Sequence, residues 1–185
     1  MSIKSLPLDQ FLATLAAKQP TPGGGAAAAV GAAIGNAAAS MAAAYTTRKQ
    51  DSESGAKVKA EALQSAMDVA EFLQAADDDA KAYADLQRTW KEPMPAEEKA
   101  AIEANALAIP TKLVESCHKN IVSIHGFLPY CNTNITSDAK VGIHTLAGAA
   151  RAAYQTVLVN SPPDEERLRL QALLKEIRDV EDELL

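Results

Sequence analysis

Apolar residues recur at helical spacing along almost the whole chain, and prolines and glycines divide that pattern into segments. The first segment, Ser5 to Lys18, follows a serine and an early proline, which favour the start of a short amphipathic helix. From about Glu53 to Trp90 the pattern runs without a proline and carries two apolar faces, which predicts one long helix buried between neighbours. A further helix begins at Ala96, and Pro110 must kink or split it.

An alanine-rich segment follows a loop of prolines and three glycines, Gln19 to Gly25. From Gly23 to Thr47 the chain has no formal charge, but it has few large apolar side chains, so its transfer into lipid would gain little. A helix buried in protein is therefore favoured over a membrane span. Gly31 and Gly35 leave this helix without side-chain thickness, which predicts close approach by neighbouring helices.

Two more helices complete the pattern, one from near Ser137 to about Asn160 and an amphipathic one after the prolines at 162 and 163. No linker or tandem repeat is visible. The sequence predicts a single domain over residues 1–185, with an all-α fold that bundles about six or more helices.

Composition narrows the classes of protein further. Of the 185 residues 48% are hydrophobic but only 4% aromatic, and residues that favour strands are sparse, which argues against a β-fold. A net charge of -6 predicts that neither nucleic acid nor an anionic membrane is a partner. Two cysteines and no segment resembling a secretion signal indicate a cytoplasmic protein with free thiols.

The glycine loop and an aspartate run are the first candidates for chemistry. Gly23 to Gly25 precede a helix, where backbone N–H groups attract an anion, although a tight entry turn explains them equally well. In the run Asp77-Asp78-Asp79, helical spacing aligns the first and last residues with apolar positions, where an aspartate has a raised pKa and exchanges protons near neutral pH. The alternative is that these carboxylates are solvated or pair with Lys81 or Arg88.

Other polar residues have simpler interpretations. Asp138 beside Ser137 starts a helix, where capping alone would explain it. His118 and His125 are seven residues apart, or about 10 Å along a helix axis, so they cannot share a metal ion within one helix. We therefore predict no metal site.

Four motifs occur in one order along nearly the whole chain. They are Pro20-Thr21-Pro22-Gly23-Gly24-Gly25, Asp77-x-Asp79-Ala80-x-Ala82-Tyr83, Asn132-x-Asn134-Ile135-Thr136-Ser137-Asp138-Ala139-x-Val141-Gly142 and Val159-Asn160. Together they make the chain similar to the cyclodeaminase/cyclohydrolase family, a helical domain found alone in many bacteria or fused to formiminotransferase in animals.

The resemblance implies an all-α homodimer, paired through long helices, whose substrate is a one-carbon derivative of tetrahydrofolate and which holds no permanently bound cofactor. It implies a formimidoyltetrahydrofolate cyclodeaminase, which closes 5-formiminotetrahydrofolate to 5,10-methenyltetrahydrofolate with loss of ammonia. The alternative within the family is a methenyltetrahydrofolate cyclohydrolase, which interconverts the methenyl compound and 10-formyltetrahydrofolate.

Carried onto this chain, the family chemistry makes Asp79 the expected acid and base and Asp77 its partner. Two nearby carboxylates would help to keep one proton bound if they converge where two subunits of the dimer meet. Asp138 and Asn134 are then expected to orient the pterin or the reacting nitrogen. The remaining predicted substrate-binding residues are Pro22, Gly23, Gly24, Gly25 and Ser137, with Lys49 at the glutamate tail.

The chain also departs from the family pattern. Ala26 replaces the serine that usually follows the three glycines, while Arg48 and Lys140 stand where glycines are usual. Ala26 and Arg48 support a second alternative, a non-catalytic helical dimer that binds folate or a partner protein.

Overall fold

The computed structural model describes residues 2–185, and within them the regular structure is entirely helical, as the sequence predicts. Two short 3-10 turns, Ile3–Ser5 and Leu128–Tyr130, accompany eight α-helices. The helices are α1 Leu8–Leu15, α2 Gly24–Ala44, α3 Lys49–Glu53, α4 Ala56–Ala66, α5 Val69–Lys91, α6 Ala96–Phe127, α7 Thr136–Val159 and α8 Asp164–Asp182.

The alanine-rich helix α2 packs against α7 at backbone contact. A Cβ atom placed on Gly35 would lie 2.8 Å from Cγ of Leu146 and 3.0 Å from the carbonyl oxygen of Gly142. A Cβ on Gly142 would in turn lie 2.9 Å from the carbonyl oxygen of Gly35. Any side chain at this crossing would force the helices apart, so the predicted close approach is confirmed.

The two central helices run antiparallel. The backbone N–H of Asn132, just before α7, donates to Oγ1 of Thr46 at 3.0 Å, just after α2 ends. The amide nitrogen of Asn132 also donates to the carbonyl oxygen of Tyr45, at 2.9 Å. The beginning of α7 therefore lies beside the end of α2, and the beginning of α2 lies beside the end of α7.

The other helices cover this central pair. Helix α2 is long and apolar enough to cross a membrane by length and composition, but 56% of its most apolar 18-residue stretch is buried inside the protein. It contacts α5 as well as α7, and α6 packs on α5 and α7. Helix α8 closes the bundle over α6 and α7 through Leu170 and Ile177, which are almost completely buried.

The prediction of one helix from Glu53 to Trp90 was wrong. Helix α4 ends at Ala66, and α5 begins at Val69. Asp68 separates them because its Oδ1 accepts a hydrogen bond from the backbone N–H of Glu71 at 3.0 Å and so caps α5. The apolar residues keep their helical spacing through this break, so the spacing alone does not reveal it.

One further boundary differs from the prediction, and the two outcomes expected at Pro110 are narrowed to one continuous helix. Helix α1 begins only at Leu8 with Pro7 as its N-cap residue, and Ser5 lies in the preceding 3-10 turn. Pro110 does not split α6, which is one helix from Ala96 to Phe127. Proline has no N–H to bond the carbonyl oxygen of Ala106 four residues earlier, and the side-chain amide of Asn160 donates to that oxygen instead, at 3.2 Å.

Candidate active site

The side chain of Asp79, in the middle of α5, lies against the beginning of α2. Helix α2 has Gly23 at its N-cap, so it has no side-chain cap of its own. A Cβ atom on Gly25 would lie 2.0 Å from Oδ1 and 2.5 Å from Cγ of Asp79. The carboxyl group therefore occupies the space that any other residue at position 25 would fill.

Burial raises the pKa of the Asp79 carboxyl above its usual range, because the charged form loses contact with water. A hydrogen bond from the backbone N–H of Ala26 has the opposite, smaller effect. The net upward shift brings the carboxyl closer to proton exchange at neutral pH. Asp79 is thus the member of the aspartate run that meets the sequence prediction of a sheltered carboxyl group.

Asp79 borders a pocket of about 200 Å³, which we call the inner pocket. Its walls are largely apolar, and Asp79 lines them together with three other polar residues, Tyr83, Thr156 and Asn160. A mostly apolar cavity with a few convergent polar groups is typical of small-molecule sites. Helix α5 contributes Asp79, Ala82, Tyr83, Leu86 and Trp90, α6 contributes Ala106, and α7 and its C-terminal end contribute Thr156, Val159 and Asn160.

A second pocket of about 500 Å³ adjoins the first, and we call it the outer pocket. The two share Leu86, Trp90, Val159 and Asn160, so they form one continuous cleft. Glu103 supplies the only charged side chain in the wall of the outer pocket among the described residues. The cleft therefore has a carboxyl group at its inner end and an apolar, aromatic middle.

Asn160 belongs to the last of the four sequence motifs, but the sequence alone predicted no role for it. Its amide nitrogen donates to the carbonyl oxygens of Thr156, at 2.9 Å, and Ala106, at 3.2 Å. Both amide hydrogens are used, so the amide oxygen remains the group that can accept a hydrogen bond from a ligand. Tyr83 and Trp90 were likewise missed, although Tyr83 stands four residues after Asp79 and therefore on the same helix face.

The other two aspartates of the run lie elsewhere. The carboxylate of Asp77 accepts hydrogen bonds from the hydroxyl of Ser2, at 2.6 Å, and from the backbone N–H of Ile3. Asp78 is exposed and accepts from the side chain of Gln74 at 2.9 Å. The structure thus gives Asp77 a role in holding the N-terminal segment and does not bring it together with Asp79.

The glycine loop lies at the same end of α2 as Asp79. Pro22 and Gly25 are buried, and Gly23 is half-buried. Gly24 is exposed, and a Cβ atom placed on it would have no atom from elsewhere in residues 2–185 within 4 Å, its own helix turn and chain neighbours aside. The loop is a helix entry, and the helix N-terminus already faces a carboxylate from the chain itself. Of these predicted residues, Gly25 is the one that lies against the carboxyl group of Asp79.

The remaining predicted site residues lie at the other end of α2. Asn134 is exposed and its backbone N–H donates to Oδ1 of Asn132, while the exposed Ser137 donates to Oδ2 of Asp138 at 3.2 Å. Asp138 is half-buried, and its side chain does not cap α7, so the capping interpretation was wrong. Lys49 is exposed, and its Nζ lies 3.8 Å from Oε1 of Glu53. Because α2 has 21 residues, these groups are about 30 Å from Gly25 along its axis.

Each histidine faces a glutamate of the C-terminal segment. His118 lies 2.7 Å from Glu176, and His125 lies 3.1 Å from Glu183. Within residues 2–185, no group of three or more histidine, cysteine or acidic side chains is arranged to hold a metal ion.

Comparison with known proteins identifies the fold and the family of the chain. The chain has the fold of an all-helical cyclodeaminase: the crystal structure of formiminotetrahydrofolate cyclodeaminase from Thermotoga maritima matches it with a TM-score of 0.83. That match has 23% sequence identity and covers 97% of this chain and 92% of the other. A family model described as formiminotransferase-cyclodeaminase matches residues 7–179, so the chain belongs to that family. No match was found among curated proteins.

Proposed function

We propose that the protein is a cytoplasmic formimidoyltetrahydrofolate cyclodeaminase, which closes 5-formiminotetrahydrofolate to 5,10-methenyltetrahydrofolate and releases ammonia. The observation that carries this proposal is the Asp79 carboxyl, which has a raised pKa and lies against Gly25 in a pocket that also contains Asn160. Family membership supports the substrate class.

The proposed reaction needs one group that can both accept and donate a proton. The anilino nitrogen N10 attacks the carbon of the protonated formimino group, and the Asp79 carboxylate accepts the proton that N10 loses. The same carboxyl donates that proton to the terminal nitrogen, whose bond to carbon breaks as ammonia leaves. The methenyl product keeps the positive charge of the substrate, and the carboxylate stabilises it electrostatically.

A cyclohydrolase is the second candidate, because a sheltered carboxyl group that accepts a proton from an amine nitrogen can equally accept one from an attacking water molecule. Ala26 is the observation that keeps a non-catalytic folate-binding or structural dimer as a third. Its side chain is completely buried beside the Asp79 contact, so a serine hydroxyl is lost next to the proposed acid and base. Arg48 has a structural explanation, since its guanidinium binds Asp51 through two hydrogen bonds of 2.9 and 2.8 Å.

We further propose that the active form is a homodimer. In a single chain, Asp138 and Asn134 are at the opposite end of α2 from Asp79. A two-fold axis across the middle of α2 would place the end of one helix beside the beginning of its copy. An exposed apolar stripe supports this pairing, because such stripes favour association. It includes Ile34 and Met41 on α2 and Tyr45 at the C-cap of α2.

The dimer is tested by light scattering and by mixing variants. Ile34→Lys should give a monomer, whereas Val58→Lys, at an exposed position on α4, should leave the mass unchanged. If two chains build each site, mixing inactive Asp79→Asn and Asp138→Asn proteins should restore part of the activity. A monomeric, fully active wild type would rule the dimer out.

Turnover is tested by the near-ultraviolet absorbance of the methenyl product. Wild-type protein should make this band rise from the formimino substrate, and Asp79→Asn should abolish the rise. Asp78→Asn is the matched control, because Asp78 is the exposed neighbour on the same helix. A change only with the methenyl substrate would favour the cyclohydrolase, and folate binding without turnover of either substrate would favour the non-catalytic dimer.

A further inference from the structure

Three apolar side chains are exposed together around the mouth of the cleft. Trp90 is 61% exposed, Val159 is 78% exposed and Tyr83 is 38% exposed. Single exposed apolar residues are ordinary, but these three border the same pocket. A clustered apolar rim around a cavity with an ionisable group indicates a surface that a ligand covers.

Asp79, Tyr83, Leu86 and Trp90 form one stripe along α5, because they are spaced four, three and four residues apart. Asp79 and Trp90 are eleven residues apart, which is about 16 Å between their backbones along the helix axis. Both nevertheless border the inner pocket. The pocket is therefore elongated, with an acidic end and an aromatic end.

The Trp90 indole is held in place by a neighbouring ring. The ring centroids of Tyr83 and Trp90 are 6.2 Å apart and their planes meet at 82°, an edge-to-face arrangement. Trp90 also borders the outer pocket, so it stands where the two pockets meet. A fixed, exposed indole at this point offers a flat surface to a second flat ring that passes from one pocket to the other.

We infer that Trp90 binds the aminobenzoyl ring of the folate by stacking, while Asp79 acts on the atoms that react. This inference rests on the proposed function. The aminobenzoyl ring is attached directly to N10, the nitrogen that attacks in ring closure. When N10 lies beside Asp79, the ring therefore extends from there toward the aromatic end of the pocket. Stacking on Trp90 fixes N10 relative to the carboxyl group and makes Trp90 a substrate-binding residue that selects complete folates over isolated pterins.

Binding of two ligands to the same variants separates this role from a general structural one. The ligands are 5-formyltetrahydrofolate and a 5-formyltetrahydropterin that lacks the aminobenzoylglutamate portion. Trp90→Leu should weaken binding of the complete folate about tenfold, the loss expected for one stacked ring, and should leave binding of the pterin unchanged. Trp90→Phe should restore most of the affinity, because it keeps a flat ring.

Leu168→Ala is the control, since Leu168 is another exposed apolar residue and lies on α8, which packs over α6 and α7. It should change neither affinity. Trp90 is the only tryptophan in the chain, so its fluorescence reports on this position alone. The complete folate should protect it from quenching by acrylamide, whereas the pterin should not.

The failure of this inference differs from the failure of the proposed function. Wild-type turnover that Asp79→Asn abolishes, together with unchanged folate affinity in Trp90→Leu, overturns the role of Trp90 and keeps the enzyme. Equal losses for folate and pterin also overturn it, because they indicate a general disturbance of the pocket. Wild-type protein that neither binds nor converts a folate overturns both proposals.

Discussion

The carboxyl group of Asp79 fills the space where a side chain on Gly25 would project. The ideal Cβ position at residue 25 is 2.0 Å from Oδ1 and 2.8 Å from Oδ2, well inside van der Waals contact. Residue 25 therefore controls where the carboxyl lies, even though it has no functional group. Among the three glycines of the loop, Gly25 is therefore expected to matter most for activity.

We predict that Gly25→Ala lowers turnover of the formimino substrate about a hundredfold. The new methyl carbon would lie 2.0 Å from Oδ1 of Asp79, so the carboxyl group must move away from its position in the site. Gly24→Ala is the matched control, since no more distant part of the described chain lies within 4 Å of its Cβ position. It should keep activity within a few-fold of wild type. Initial rates with both variants would check this, and equal losses would contradict the special role of position 25.

The thermal stability of Asp79→Asn tests the same carboxyl group without an activity assay. Because burial raises the pKa of Asp79, this group favours the folded state only while it is protonated. That contribution is present below the unfolded pKa and is lost as the pH rises through the folded pKa. We therefore expect Asp79→Asn to melt at a higher temperature than wild type at neutral pH and at about the same temperature in acid.

The opposite result has a clear meaning. If the main role of Asp79 were to stabilise the N-terminus of α2 as an anion, the variant would melt at a lower temperature at neutral pH. Thermal unfolding of wild type, Asp79→Asn and Asp78→Asn over a series of pH values would distinguish the two roles. Asp78 is exposed, so Asp78→Asn should leave the melting temperature nearly unchanged.

The helical class and the glycine-to-alanine segment could be predicted because they are properties of local spacing. The break at Asp68 could not, since its capping bond interrupts the backbone without interrupting the apolar period. Helical spacing also placed Asp77 and Asp79 on apolar sides of α5, but it could not say what packs on each side. The partner of Asp77 turned out to be the backbone of Ile3, which is 74 residues away.

The role of Asn160 depends on tertiary contact as well. The sequence shows a proline within a helical pattern and an asparagine fifty residues later, and nothing local connects them. In the folded chain, Pro110 leaves the carbonyl oxygen of Ala106 without its helical partner, and Asn160 donates to it. The proline and the asparagine therefore form one structural unit beside the pocket.

This relationship predicts non-additive stability in a double-mutant cycle. Asn160→Ala alone should cost about 1–2 kcal/mol, because it leaves a carbonyl oxygen of α6 without a partner. In a Pro110→Ala background, the new N–H at position 110 can bond that oxygen, so the same substitution should cost less. Urea unfolding of the four proteins measures the coupling, and equal costs in both backgrounds would show that Asn160 does not replace the missing helical bond.

An ion pair that should be lost in acid joins α8 to α7. Glu181 lies between His144, at 3.1 Å, and Arg151, and both partners belong to α7. Burial alone would raise the pKa of the Glu181 carboxyl, but hydrogen bonds from Arg151 and His144 outweigh burial and lower it. A lowered folded pKa gives stability that is present above the unfolded pKa and is lost as the pH falls through the folded pKa.

We expect Glu181→Gln to reduce the free energy of unfolding by about 1 kcal/mol at neutral pH, because the charged hydrogen bonds to two partners are lost. Since wild type loses the same interaction when Glu181 is protonated, the two proteins should converge as the pH falls below the ordinary glutamate range. Glu183→Gln is the control, because Glu183 pairs with His125 but is mostly exposed, and it should cost less than about 0.5 kcal/mol. A constant difference between Glu181→Gln and wild type at every pH would show that packing of the side chain, rather than its charge, holds α8 to α7.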